Sequence, residues 1–224
     1  MHVAVITPVG PGHELAAGKC MASVRVAWAR SRGPFGTLTH APVFDSKGSL
    51  GRSAARNRGV CVSDRADWYL FLDADDRLEP DAFALVAPHV APPSFEDSLD
   101  SSTAPCTAVF GAVQTERHGI VRENRHPVTW ADLMEHGPVG TLSMGCFVRG
   151  DVARATPFNE SLDRGEDFDF YLRALHGRPF VKLPEPLVMI GDTVPSAGGP
   201  RGYGRIDWRA ECQAVIDRWK AEAA

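Results

Sequence analysis

The chain has 224 residues, 24 Lys plus Arg against 28 Asp plus Glu, a formal net charge of −4 and 44% hydrophobic residues, the composition of an ordinary globular protein that builds its own core without staples. With no block of Lys or Arg at either end, the charge argues against binding driven by wholesale phosphate neutralisation, though a local basic groove stays open. Five cysteines, at 20, 61, 106, 146 and 212, are odd in number and lack C-x-x-C spacing, so reduced thiols are expected and a zinc site is not.

The opening His2-Val3-Ala4-Val5-Ile6 reads as a strand rather than a leader, and no stretch of the chain reaches the roughly 18 apolar residues needed to cross a bilayer. A cytoplasmic protein without a transmembrane segment is the expectation. The Val3–Ile6 strand is closed by a Gly/Pro loop over 7–12, and Leu15 to Arg30 carries apolar residues at helical spacing up to Ser31-Arg32-Gly33-Pro34. Leu38–Phe44 is a second strand weakened by Pro42, Ser49–Val62 a helix rich in Ala and Arg, and Trp68–Leu72 a strongly apolar strand. Strands alternating with helices imply an α/β fold around a mostly parallel sheet.

Pro80 starts a helix to about Val90, with Asp81 placed to favour its dipole. Residues 91–106 are rich in Pro and Ser and read as a flexible surface loop. Beyond it, strands are expected over 107–114, Ser143–Val148, Phe180–Leu183 and Leu187–Ile190, the last two separated by Pro184-Glu185-Pro186. Helices are expected over Thr129–His136, with Thr129 as N-cap, over Asp167–His176, and over Asp207–Ala221 after a glycine-rich loop at 191–204. The whole is read as one domain: a first half over 1–90, the loop at 91–106, a mixed second half over 107–190, and a terminal loop and helix over 191–224.

The sharpest feature is Trp68-Tyr69-Leu70-Phe71-Leu72-Asp73-Ala74-Asp75-Asp76, five apolar residues ending in three carboxylates. A buried strand delivers acids to its carboxyl end, where ligands bind in open α/β sheets, and clustered carboxylates there call for something positive among them. Hard oxygen ligands suit Mg²⁺ or Mn²⁺, each taking one or two carboxylates with water and phosphates in the remaining positions. A lone Asp would be a solvated turn acid; three after such a strand favour the metal. The second feature, Gly165-Glu166-Asp167-Phe168-Asp169-Phe170, places acids at a helix start. Alone it is dipole complementation. Together with the first cluster it offers a carboxylate to deprotonate an acceptor.

With these pieces in hand the chain resembles the family 2 glycosyltransferases of the GT-A fold, over roughly residues 2–190. Val3–Pro8 resembles their opening strand and Thr-Pro turn, Ser53-Ala54-Ala55-Arg56-Asn57-Arg58-Gly59 their Ala-Arg-Asn-x-Gly helix, and Asp73-Ala74-Asp75 their D-x-D strand end. Met144–Arg149, Phe158-Asn159-Glu160-Ser161-Leu162 and Gly165–Phe170 resemble the strand, the Phe-Asp/Asn-Glu segment and the Glu-Asp helix start. The resemblance implies a GT-A-like, Rossmann-type sheet flanked by helices with a smaller mixed acceptor-side region. It also implies an inverting, metal-dependent transfer of a sugar from a nucleotide-diphosphate sugar. Thr7, Pro8 and Glu14 would then lie near the base, Asp45 at a nucleotide contact, and Arg52 or Arg56 beside the diphosphate or base. Asp73 and Ala74 would meet the ribose or sugar, Asp75 with Asp73 would hold Mn²⁺ or Mg²⁺, and Asp167, next to Glu166, would be the general base.

Two departures stand out. Phe44-Asp45-Ser46-Lys47-Gly48 replaces the family's frequent Asp-Asp-Gly-Ser, and no histidine follows the last strands, so Asp192 or a water would complete the metal shell. The run Gly198–Arg205 carries Arg201 and is either a lid closing over a diphosphate or a solvated loop, and Trp130 is either core or a platform for a flat acceptor. The acceptor is left open among saccharide, lipid, protein, metabolite and hydroxylated nucleobase, with nucleic acid disfavoured by the net charge. Two other readings are a nucleotidyltransferase, which the missing Gly-rich basic loop after the first strand disfavours, and a sugar-nucleotide binder without catalysis, which has no need of a base.

Overall fold

Alternation by two organises the centre of the molecule. The computed structural model describes residues 1–90, 106–117, 120–124, 128–137, 142–162, 164–191 and 208–223. In it β1 (His2–Val9) runs parallel to β2 (Thr37–Phe44) on one side and to β3 (Trp68–Phe71) on the other. Val3, Val5, Trp68 and Leu70 face one core cluster, whereas Ala4, Ile6, Tyr69 and Phe71 face another. The first cluster is closed by α1 (Glu14–Arg30) and α3 (Ala82–Val90). The second is closed by α2 (Arg52–Val62), α4 (Trp130–His136), α5 (Gly150–Ala155), α6 (Glu166–Leu175) and α7 (Trp208–Ala223). Helices on both faces of a twisted sheet are the α/β layering expected from the alternating pattern.

The remaining strands are β4 (Arg77–Leu78), β5 (Ala108–Arg117), β6 (Ile120–Asn124), β7 (Phe147–Arg149) and β8 (Phe180–Ile190). The sheet order is β2-β1-β3-β7-β5-β8-β4, with β6 paired to β5. β7 runs antiparallel to both β3 and β5, and β5 and β8 are parallel. Pro42 is accommodated because β2 is the edge strand, where a missing N–H costs no ladder bond. No helix among the described residues is long and apolar enough to cross a membrane. The five thiols are free; Cys20, Cys146 and Cys212 are buried and Cys61 is exposed.

Several expected boundaries move, each for a local reason. The helix expected from Ser49 begins at Arg52, because the Asp45 carboxylate takes the N–H groups of Ser49, Leu50 and Gly51 and Gly51 sits at φ 80°. The helix expected from Pro80 begins at Ala82, after the short β4; the Asp81 carboxylate pairs with Arg30 rather than serving the helix end. The strand expected over 143–148 shrinks to Phe147–Arg149, since Gly145 at φ 93° tucks against Val188. The two strands expected around Pro184-Glu185-Pro186 are the single β8, whose pairing with β5 shifts register twice there, so that neither proline interrupts a regular ladder. Gly111 makes the crossing possible: a Cβ there would fall 2.4 Å from the Leu187 nitrogen. The short α5 and β6 were not anticipated. Thr129 does cap α4, in a reciprocal capping box with Asp132. The loops expected over 91–106 and 191–204 lie almost wholly outside the described residues.

Candidate active site

The apolar run of β3 stops at Phe71, and Leu72 is the last fully buried residue before the acids. Asp73 to Asp76 then form a turn in which the Asp76 N–H donates to the Asp73 carbonyl at 3.1 Å. The end of β8 lies directly on this turn. Gly191 donates its N–H to the Asp76 carboxylate at 3.1 Å, and a Cβ on Gly191 would stand 2.1 Å from the Asp75 carbonyl oxygen. Only glycine fits that crossing. Asp76 is 6% exposed, and burial, then Asp73 and Asp75, pushes its carboxyl well above the usual range. Burial and the neighbouring Asp73 also raise Asp75.

Asp73 behaves differently because Arg56 reaches it. Burial works to raise its carboxyl, but the Arg56 guanidinium more than offsets that and holds it below the usual range. Arg56 lies on the inner face of α2 and is 1% exposed. Its Nη2 donates to Asp73 at 2.7 Å and its Nη1 to Glu166, at the first position of α6, at 3.0 Å. The guanidinium carbon stands 5.2 Å from the centre of the Phe158 ring. Arg52, one turn earlier and half exposed, approaches Glu166 at 3.5 Å. The next residue of the motif, Asn57, exchanges hydrogen bonds with the Phe158 backbone at 2.8 and 2.9 Å and donates to Glu160 at 2.8 Å. Gly59 lets α2 lie against β1, where a Cβ would fall 2.3 Å from Ile6 Cγ2. The Arg, Asn and Gly of Ala-Arg-Asn-x-Gly thus each have a separate task.

The start of α6 follows from Gly165, whose φ of 67° turns the chain into the helix. Glu166, 3% exposed, faces inward to the arginines. Asp167 is partly exposed and accepts the Phe168 N–H at 2.7 Å. Burial, followed by the adjacent Glu166, pushes Asp167 up to about 6, against the pull of Arg56. Two neighbouring acids therefore differ in kind: one neutralised by arginine, the other held near the pH at which a carboxylate works as a base. Asp169 is the structural acid of this helix, paired with Arg173 at 2.6 Å and approached by Arg218 at 3.7 Å.

Among the other expected site residues, Thr7 is fully buried, its hydroxyl 3.0 Å from His40 Nε2. Pro8 is half-buried and Glu14 is exposed at the start of α1. Asp45 engages both carboxylate oxygens with the 49–51 backbone, and the Gly51 N–H foremost holds its carboxyl below the usual range. Ala74 is buried beside Val9 and Ala17. Asp192 and Arg201 lie outside the described residues. Trp130 packs against His176 and Trp219 at 5.5 and 5.7 Å between ring centres, joining α4, α6 and α7, which is its core reading. What the residues alone did not reveal is the pairing of Arg56 with both acid clusters and the part of Phe158 and Glu160 in it; the co-occurrence of the Arg-Asn and Phe-Asn-Glu segments was the available signal.

Among the described residues no three His, Cys, Asp or Glu side chains converge as a ready-made metal cage. Asp75 nevertheless fits a divalent cation by the chemistry of its donors. It is a hard carboxylate beside Asp73, raised by burial and by that neighbour, with no ion-pair partner among the described residues.

Solved structures share the fold. S. aureus TarS 1-349 in complex with UDP-GlcNAc matches with a TM-score of 0.63 and 16% identity over 96% of this chain and 65% of that one. The same protein with UDP gives 0.61 and 15% over 96% and 64%. The fold is GT-A. Longer TarS matches at 0.61 and 14%, over 88% of this chain and 38% of its own. This GT-A chain therefore spans less than two thirds of the length of those proteins. No family profile and no curated protein sequence matches it, and at such identities the likeness establishes the fold alone.

Proposed function

We propose that the chain is an inverting, metal-dependent glycosyltransferase that moves a sugar from a nucleotide-diphosphate sugar to a hydroxyl acceptor. One observation carries this reading. Asp167, a carboxyl pushed up to about 6, is held by its neighbour Glu166 on the same guanidinium that holds Asp73 of the strand-end acids. A base for the acceptor and acids for the donor thus meet across one side chain. The GT-A fold, seen with UDP and UDP-GlcNAc in TarS, supports a nucleotide-sugar donor.

In this reading Asp75, with Asp73, would hold Mn²⁺ or Mg²⁺, which when bound offsets charge on the departing diphosphate. Asp167 accepts the proton of the acceptor hydroxyl as its oxygen forms a bond to the anomeric carbon. The bond from that carbon to the diphosphate oxygen breaks, its electron pair leaves with the nucleotide, and configuration inverts. Neutral protonated Asp167 cannot take that proton, so turnover rises with pH through about 6. Asp167→Asn is expected to lower kcat by roughly 10²–10⁴-fold while donor binding persists, measured as release of nucleotide diphosphate. Full turnover in that variant would refute the assignment.

A further inference from the structure

Arg56 is bonded at once to both acid clusters, to Asp73 at 2.7 Å and to Glu166 at 3.0 Å. By the family resemblance either it or Arg52 would lie beside the diphosphate or base. Its setting here is different: 1% exposed, Nη1 and Nη2 each held by a carboxylate within 3.0 Å, and the guanidinium resting against the Phe158 ring. A side chain so enclosed presents no nitrogen outward for a phosphate. Its planar fork instead fixes angles as well as distances between the groups it joins, which an ammonium does not.

The surroundings point the same way. Asn57, next to it on α2, clamps the Phe158–Glu160 turn through three hydrogen bonds, and that turn leads into α6. Phe158 stacks on Phe170 of α6 at 4.2 Å between ring centres, so the wall of the guanidinium site is itself anchored to the helix that carries Asp167. α2 in turn is seated on β1 through Gly59. The result is a rigid bracket from the β3 turn to the start of α6.

Resting on the glycosyltransferase reading, we infer that Arg56 is a positioning residue for the transfer: by clamping Asp73 to Glu166 it sets the separation of the donor-holding turn from Asp167, without touching the donor. A misplacement of about 1 Å between reacting groups costs on the order of 100-fold in rate. Arg56→Lys keeps the charge and loses the fork.

The test separates turnover from donor affinity. Wild type is screened, with water as the acceptor of the sugar, for release of nucleotide diphosphate from a panel of nucleotide sugars with Mn²⁺, and the matching nucleotide diphosphate with Mn²⁺ is titrated by calorimetry. In Arg56→Lys, kcat is expected to fall about 100-fold with the Kd of the nucleotide within about twofold of wild type. Glu166→Gln should lower kcat likewise, and adding Arg56→Lys to it should cost less than about threefold more, because both changes break one bracket. A Kd weakened more than tenfold with kcat preserved, or effects of the two changes that multiply, overturns the inference. Should Arg56→Lys fail to fold, as judged by circular dichroism, Glu166→Gln alone decides: lost kcat with unchanged Kd supports the bracket, unchanged kcat sinks it. Wild type that releases nucleotide from no donor refutes the glycosyltransferase reading and the bracket with it, whereas an active wild type with the wrong split refutes the bracket alone.

Discussion

Asp167 shows how a single carboxyl links stability to chemistry. Its folded value of about 6 lies above its ordinary value of 3.8, so between these values the folded protein binds more protons than the unfolded chain. Stability therefore falls as pH rises through that window, and above it the folded state carries the full cost of a poorly solvated charge. Asp167→Asn removes that cost. The variant should melt a few degrees above wild type at pH 7.5, with the difference vanishing below about pH 4; an unchanged or lower melting temperature at pH 7.5 would contradict the raised value. A residue that is both costly and needed is the usual sign of a functional site. Arg56 is the opposite case: its charge is held by Asp73 and Glu166 despite burial, and removing it takes the hydrogen-bonded cation from both acids and leaves Glu166 only the half-exposed Arg52, a loss of up to about 3–5 kcal/mol.

At the scale of elements, the seat of α2 on β1 is the joint on which the site depends. Gly59→Ala would press a methyl group into the Ile6 side chain, which is fully buried on a strand flanked by β2 and β3 and has little room to yield. A destabilisation of about 1–3 kcal/mol is expected in urea unfolding. Ile6→Ala, costly alone, should relieve part of it, so the double variant loses less than the sum. This scale also shows what the residues revealed in advance. Long periodic elements such as α1 and the apolar β1 and β3 were legible because burial on a sheet imposes a period that the sequence must carry. The start of α2 was not, because one tertiary device, Asp45 gathering three backbone N–H groups, overrides helix propensity over residues 49–51. The sequence pattern divides β8 in two because Pro184 and Pro186 normally forbid a ladder, and only the facing Gly111 and its register shifts show why they do not. The two acid clusters were visible as runs of letters. That one arginine joins them was not, since no local pattern encodes a contact between residues 56 and 166.

For the molecule as a whole, the site lies where the carboxyl end of the sheet's first half meets the helices of the second, and ligand binding should be felt globally. A ligand that binds only the native state, present at 100 times its Kd, adds about 2.7 kcal/mol, which for a chain of this size raises the melting temperature by roughly 5–10 °C. A nucleotide diphosphate with Mn²⁺ should produce such a shift, and Asp75→Asn should abolish its metal-dependent part. A screen across bases also names the donor; no response to any base would leave the acids as caps and turns.

The distribution of thiols has a practical corollary. Burial pushes Cys20 and Cys146 up to about 12 and Cys212 to about 11, so all three stay protonated and shielded at neutral pH. Cys61 is exposed near the end of α2, little more than one turn beyond Arg56, while Cys106 is half covered and its thiol is raised by burial. The wild-type chain therefore carries its own attachment point: a maleimide fluorophore should couple first at Cys61, as peptide mapping would show. It would report from the very helix that joins the two acid clusters, with no engineered cysteine.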